Sequence, residues 1–162
     1  MTRSAAELDI LMRRLGSDLA LLYRGEPGLY EDADLDSRVS PGRSSRHRDL
    51  GVVSGVAAAT QMLVTRLKTR RGELAPLGHP DYGSTHHELI GEPNTQRTRN
   101  LIKLRVLQAL AQEPRIQEIL SCRVNAPHSP PREIVRIEMT IRLIDEPNPL
   151  NLVVPFALEP VP

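Results

Sequence analysis

"IVRIEMTIRLI", residues 134–144, sets the fold class. Val135, Ile137, Met139, Ile141 and Leu143 alternate with Arg136, Glu138, Thr140 and Arg142, and a period of two gives a strand one dry and one wet face. A partner strand is expected around residues 121–125, reached through the turn "PHSPPRE" (127–133). "NLVVPFAL" (151–158) supplies a last strand after "DEPNP" (145–149). Pro155 has no N–H to give a ladder, so this strand belongs at a sheet edge or ends there. An edge strand is a place where another chain can add one.

Two helices precede the sheet. Over residues 54–70, Val56, Ala59, Leu63 and Leu67 recur at spacings of three and four, while Gln61, Arg66 and Lys68 are expected to face water. Arg70 and Arg71 suit the carbonyl end of the dipole, and Gly72 is the expected C-cap. The second helix is expected to start at Asn94 as N-cap and to run until Pro114 forbids continuation. Leu101, Ile102, Leu104, Val106, Leu107, Ala109, Leu110 and Ala111 cover a wide arc of it, which predicts burial between layers. Upstream, residues 4–15 read as a short helix, and "SDLALLY" and "RDLGVVSG" as two short strands. The polar stretch 24–48 between them reads as a long loop. The expected fold is α+β: two main helices on a small mixed or antiparallel sheet. The chain reads as one domain over residues 1–162, in which 1–47 hold a helix, a strand and a variable loop.

Composition narrows the function. A net charge of +1 gives no field for steering nucleic acid, and 2% aromatic content without tryptophan supplies few stacking platforms. No apolar run reaches the length of a signal segment or membrane span. The single Cys122 cannot form an internal disulfide and suits a reducing compartment. Synthesis and assembly in the cytoplasm are therefore expected, with no nucleic acid bound and no membrane insertion.

The stretch 67–94 gathers His79, Asp81, Tyr82, Ser84, His86, His87 and Glu88, which could be drawn as a hydrolase or zinc site. The histidine spacing lacks the helical interval of HExxH and has no CxxC companion. Ser84 does not sit in a G-x-S-x-G elbow. Gly72, Pro76, Gly78, the turn Pro80-Asp81-Tyr82-Gly83, Gly91 and Pro93 account for the stretch as consecutive turns, with Tyr82 as a buried anchor. No metal and no cofactor are expected. Glu113-Pro114-Arg115 admits two readings: a helix stop, or an arginine fork presented to a partner from an exposed corner.

The order of these pieces resembles the small baseplate wedge proteins of contractile phage tails and their relatives in contractile injection systems. The resemblance runs over residues 48–158. It rests on Thr69, Gly72 and Glu73 at the helix stop, on Pro80 to Gly83, and on Glu113-Pro114-Arg115. It implies a non-enzymatic sheath initiator with a fold similar to the strand-exchanging part of a sheath subunit. Such a protein would be resident in the particle's baseplate as a ring of copies. Implied partners are baseplate wedge proteins at Glu113, Pro114 and Arg115, sheath subunits at the strand edge Asn151, Leu152, Val153 and Val154, and tube or spike and hub proteins nearby. Residues 25–48 match no motif of that family. Some relatives carry a lysozyme label, so the alternative is a peptidoglycan hydrolase using the turn from His79 to Glu88. Glu73, Glu88 and Glu92 read as turn acids rather than the paired carboxylates that glycoside hydrolysis uses.

Overall fold

A computed structural model describes residues 14–26, 30–39, 48–127 and 133–159. The helix expected over residues 4–15 lies outside them except for Arg14 and Leu15, which are helical. Six short strands come first: β1 (Ser17–Leu19), β2 (Leu21–Glu26), β3 (Tyr30–Leu35), β4 (Ser37–Val39), β5 (Arg48–Leu50) and β6 (Val52–Ser54). They are followed by helices α1 (Val56–Lys68) and α2 (Gln96–Leu110), then by strands β7 (Ile116–Asn125), β8 (Ile134–Leu143) and β9 (Leu150–Ala157).

The C-terminal strands form an antiparallel sheet in the order β7-β8-β9, and the fold is α+β as the alternation in 134–144 predicts. Val135, Ile137, Met139, Ile141 and Leu143 are buried. They pack with Ala59, Leu63 and Leu67 of α1, with Ile102, Val106 and Leu110 of α2, and with Leu152, Val154 and Phe156 of β9. The wet face is laced by Arg142 to Glu118 at 2.8 Å, Asn125 to Glu138 at 2.9 Å and Thr140 to Asn151 at 3.1 Å. Pro155 lies in edge strand β9, opposite Arg136. Helix α2 is buried on one side only, since Leu104 is exposed. Its N-cap is Thr95, whose hydroxyl accepts from the Thr98 N–H, rather than Asn94.

Within the stretch read as a loop, residues 24–26, 30–35, 37–39 and 48 are strand. β1 pairs with β6, β2 with β3 and β4 with β5, each antiparallel. The three pairs meet at a ring of backbone hydrogen bonds. Ala20 N–H donates to Gly51 C=O at 2.8 Å, Gly51 to Asp36 at 2.7 Å, and Asp36 to Ala20 at 2.8 Å. Each residue at the meeting point thus satisfies its donor and acceptor without a ladder of its own. Gly51 fits because a Cβ there would stand 3.1 Å from the Ala20 Cβ and 3.3 Å from the Asp36 oxygen. Period two and the register put Leu19, Leu21, Leu35, Leu50 and Val52 on one face of these arms. Leu19, Leu35, Leu50 and Val52 are all exposed there.

Gln61 of α1 joins the arms to the helical layer. Its Oε1 accepts from Leu21 N–H at 2.9 Å, and its Nε2 donates to Leu19 C=O at 2.8 Å. Tyr23 adds a hydroxyl contact to Thr65 at 3.1 Å, and Lys68 Nζ lies 4.2 Å from the Tyr23 ring centre. Two residues expected to face water, Gln61 and Lys68, are therefore docking groups.

Helix α1 ends at Thr69 rather than Gly72. The Thr69 N–H donates to Thr65 C=O, and its hydroxyl bonds the same oxygen at 2.9 Å. Beyond it the chain returns so that Ser84 N–H donates to Thr69 C=O at 2.9 Å and Arg71 N–H to Ser84 C=O at 3.1 Å. Gly83, at φ +100°, makes that return possible: a Cβ would sit 2.6 Å from the Thr69 oxygen. Gly83→Ala combines a left-handed penalty with a backbone clash and is expected to cost about 2–4 kcal/mol. Urea denaturation checks this, and a loss below about 1 kcal/mol would contradict the close approach.

Candidate functional site

The three sequence motifs converge in space. At the end of α1, the Glu73 carboxylate accepts from Arg70 N–H at 3.0 Å. The Pro80 to Gly83 turn is drawn back by Arg71 to Asp81 at 2.6 Å, which lays Tyr82 over Arg66, with Cζ 4.5 Å from the ring centre. Arg66, expected to face water, is 9% exposed, and its Nη2 reaches Glu113 Oε2 at 3.4 Å. It lies three residues after Leu63 and so shares the buried face of α1. That spacing was the available signal, and charge alone concealed it.

Glu113 is the centre of this cluster. Its carboxylate is 4% exposed, and Oε1 accepts from Arg115 Nε at 2.6 Å and Arg115 N–H at 3.2 Å. Oε2 accepts from Arg115 Nη2 at 3.3 Å. Arg115 Nη1 also donates to Leu15 C=O at 3.3 Å. Burial pushes the Glu113 carboxyl up, but the hydrogen bonds from Arg115, with the charges of Arg115 and Arg66, outweigh it and hold the group below its ordinary value. Hydrogen bonding to Glu113 likewise raises Arg115 above its usual range, against the effect of burial. The corner is thus less exposed than expected: Pro114 faces solvent, whereas Arg115 is a half-buried strut with 31% of its side chain accessible.

The histidine turn is assembled differently from a hydrolase site. Ser84 Oγ and His86 Nδ1 are 2.7 Å apart, the contact of a nucleophile and its base. However, Ser84 is 2% and His86 1% exposed, which seals the pair from a substrate. His86 packs against His87 and Phe156 at ring separations of 4.2 and 4.5 Å. His87 Nε2 lies 2.8 Å from Leu67 C=O; only an N–H can bond that oxygen, so Nε2 carries the proton. His79 is exposed on its turn. Asp81 is tied to Arg71 and Glu88 to Arg105 at 2.7 Å. Among the described residues no group of three or more His, Cys, Asp and Glu could hold a metal ion.

The strand-edge residues Asn151, Leu152, Val153 and Val154 lie in β9, with Asn151 and Val153 exposed and Leu152 and Val154 buried. Pro155 fits with its nitrogen turned away from β8, and Leu158 N–H, three positions on, points back to Glu133 C=O at 2.9 Å. By the period of two, Asn151 and Val153 share the orientation of Pro155 and present their N–H groups outward. No helix among the described residues is long and apolar enough to cross a membrane.

No protein-family model matches the chain, and a search of curated proteins gives no match. Among solved structures, an α+β protein fold of this kind occurs in a Geobacter sulfurreducens protein described as a "putative tail lysozyme". It is 30% identical to this chain with a TM-score of 0.53, and the match covers 60% of this chain and 86% of that one. The chain belongs to the phage-tail-related family of that protein.

Burial, followed by the charges of His87 and Arg105, lowers His86 from 6.5 to about 3. Burial also lowers His87, against the raising effect of its bond to Leu67. Both groups protonate more readily unfolded than folded. Their contribution is complete above pH 6.5 and is lost as pH falls toward the folded value, at up to about 1.4 kcal/mol per pH unit for each group. The melting temperature is therefore expected to fall between pH 6.5 and 5, above the range where carboxylates titrate, and His86→Gln is expected to flatten that slope. An unchanged melting temperature across this window would contradict the neutral histidine pair.

Proposed function

We propose that this chain is a non-catalytic baseplate component of a contractile injection system, linking baseplate wedge proteins to the first ring of sheath subunits. The observation that carries the reading is the edge of β9 that, among the described residues, no strand pairs. It offers backbone donors at Asn151 and Val153 on a strand whose other edge is locked into the core sheet by β8. An extended segment of a neighbouring sheath subunit pairs there by β-augmentation, which fixes the register of the ring. The Glu113-Pro114-Arg115 corner faces the wedge, with Pro114 outward and Arg115 held rigid by Glu113. The exposed aliphatic face of the three-armed strands is the kind of surface a component covers only within its assembly.

A second reading, peptidoglycan hydrolysis, is favoured by the description of the Geobacter protein. The sealed Ser84 and His86 do not support it. The place that could is a cleft of about 540 Å³ lined by Glu92, Glu133 and Glu159, with Gly91, Pro93, Asn94 and Leu158. Two carboxylates flanking a scissile bond are what that chemistry requires.

Val153→Pro removes an outward N–H and leaves the β8 ladder intact. It is expected to give stable protein and baseplates that carry no sheath, seen by electron microscopy. Fully sheathed particles would defeat the edge assignment. Purified wild-type protein is expected to release no soluble fragments from peptidoglycan. Release that disappears in Glu133→Gln would instead establish the hydrolase.

A further inference from the structure

Arg66 is a guanidinium with an unfilled demand. It is nine-tenths buried and makes, among the described residues, one long side-chain hydrogen bond, to Glu113 at 3.4 Å; its Nε is buried with no acceptor. Glu113 is already committed to Arg115 through three shorter bonds. Two guanidiniums therefore share one carboxylate, leaving a surplus positive charge. An arginine fork in such a place satisfies its donors with a second planar anion. A buried donor left unmade costs on the order of 1–3 kcal/mol, more when charged.

Arg66 also lines a depression of about 280 Å³ between the Pro80 to Gly83 turn and the end of α2, walled by Gly78, His79, Pro80, Asp81, Tyr82 and Gln112. The wall holds one carboxylate, Asp81, but Arg71 neutralises it at 2.6 Å. Gln112 adjoins Glu113, so the depression opens beside the corner assigned to the wedge. Tyr82 covers one face of the guanidinium and lines the same depression.

We propose that this depression receives a carboxylate, an aspartate or glutamate side chain of the wedge partner, which completes the Arg66 fork. The inference rests on the reading of the corner as the wedge contact and adds the chemistry of the group that enters it. Shape complementarity at Pro114 and charge complementarity at Arg66 then act side by side. The Asp81–Arg71 pair and Gln112 form the polar rim.

The test has two arms. In the first, acetate is titrated into the purified full-length protein against chloride at equal ionic strength, following the Arg66 Nε–H signal by NMR, assigned by its absence in Arg66→Lys. A saturable shift with acetate and none with chloride is expected; no shift overturns the carboxylate site. In the second, Arg66→Lys, Arg66→Met and Arg115→Gln are expressed in particle-producing cells, and baseplate incorporation is measured alongside melting temperature. Incorporation at least tenfold below wild type is expected for the Arg66 variants, with Arg66→Lys deciding the matter where Arg66→Met does not fold. Normal incorporation of folded Arg66 variants together with loss for Arg115→Gln overturns the pocket and leaves the corner standing. Normal incorporation of all three overturns the corner as well. An acetate shift with normal Arg66 incorporation identifies a site for free anions only and overturns the protein ligand.

Discussion

The buried Glu113 carboxylate is the constraint around which the molecule is arranged. A charge at 4% exposure survives folding only where partners replace water, and here those partners come from separate parts of the chain. Arg115 supplies a side-chain fork and its own backbone N–H, Arg66 reaches across from the last turn of α1, and Leu15 accepts the remaining arm of Arg115. Pro114 stops α2 and holds Glu113 out of helical geometry. One tripeptide thus ends a helix, starts β7, fixes α1 and anchors the helical Leu15 just before β1. Removing Glu113 would leave the buried Arg66 without its one carboxylate, whereas removing Arg115 would leave Glu113 with Arg66 alone, at 3.4 Å.

The parts legible in the sequence are those where one short-range rule dominates. Alternation in 134–144 gave β8 because every second side chain enters the same dry layer, and Pro155 marked the edge because a missing N–H has only one tolerable direction. Apolar spacing likewise located α1 and α2. The parts that were missed depend on partners far away in sequence. Thr69 displaces Gly72 as the cap because the returning Ser84 N–H occupies its carbonyl. Arg66 is buried because Tyr82 and Glu113 meet it there. Ala20, Asp36 and Gly51 belong to segments up to 31 positions apart, and no local periodicity announces that their backbones close a ring. The polar residues of 30–39 therefore read as a loop although β3 pairs with β2 and β4 with β5.

Those three arms and the C-terminal sheet handle backbone hydrogen bonding in opposite ways. In the arms the ring absorbs the amide groups where the strands change partners, and Gln61 caps the outer edge at Leu19 and Leu21. At β9 the outward edge has no comparable cover among the described residues, and of its two exposed side chains, Asn151 and Val153, the latter is apolar and 58% exposed. Natural edges facing only water are usually blunted by charge, brevity or a bulge. An eight-residue edge with a single proline is suited to selective pairing: on the proposed reading a neighbour's strand pairs with Asn151 and Val153, and Pro155 limits how far the added ladder extends.

The same contrast bears on catalysis. A general base functions when it is reachable and titrates near working pH. His86 meets neither condition, being 1% exposed and lowered to about 3, and His87 spends its N–H on the end of α1. Their rings instead form a shelf under Phe156, which is how the turn supports β9 from below. The chemistry suggested by a serine 2.7 Å from a histidine is thereby converted into a packing role. Among the described residues, what remains open to a partner is backbone at the β9 edge, aliphatic surface on the arms and an incompletely paired guanidinium beside the corner. On the proposed reading each of these contributes binding and register to an assembly, and none of the contacts requires a bond to be broken.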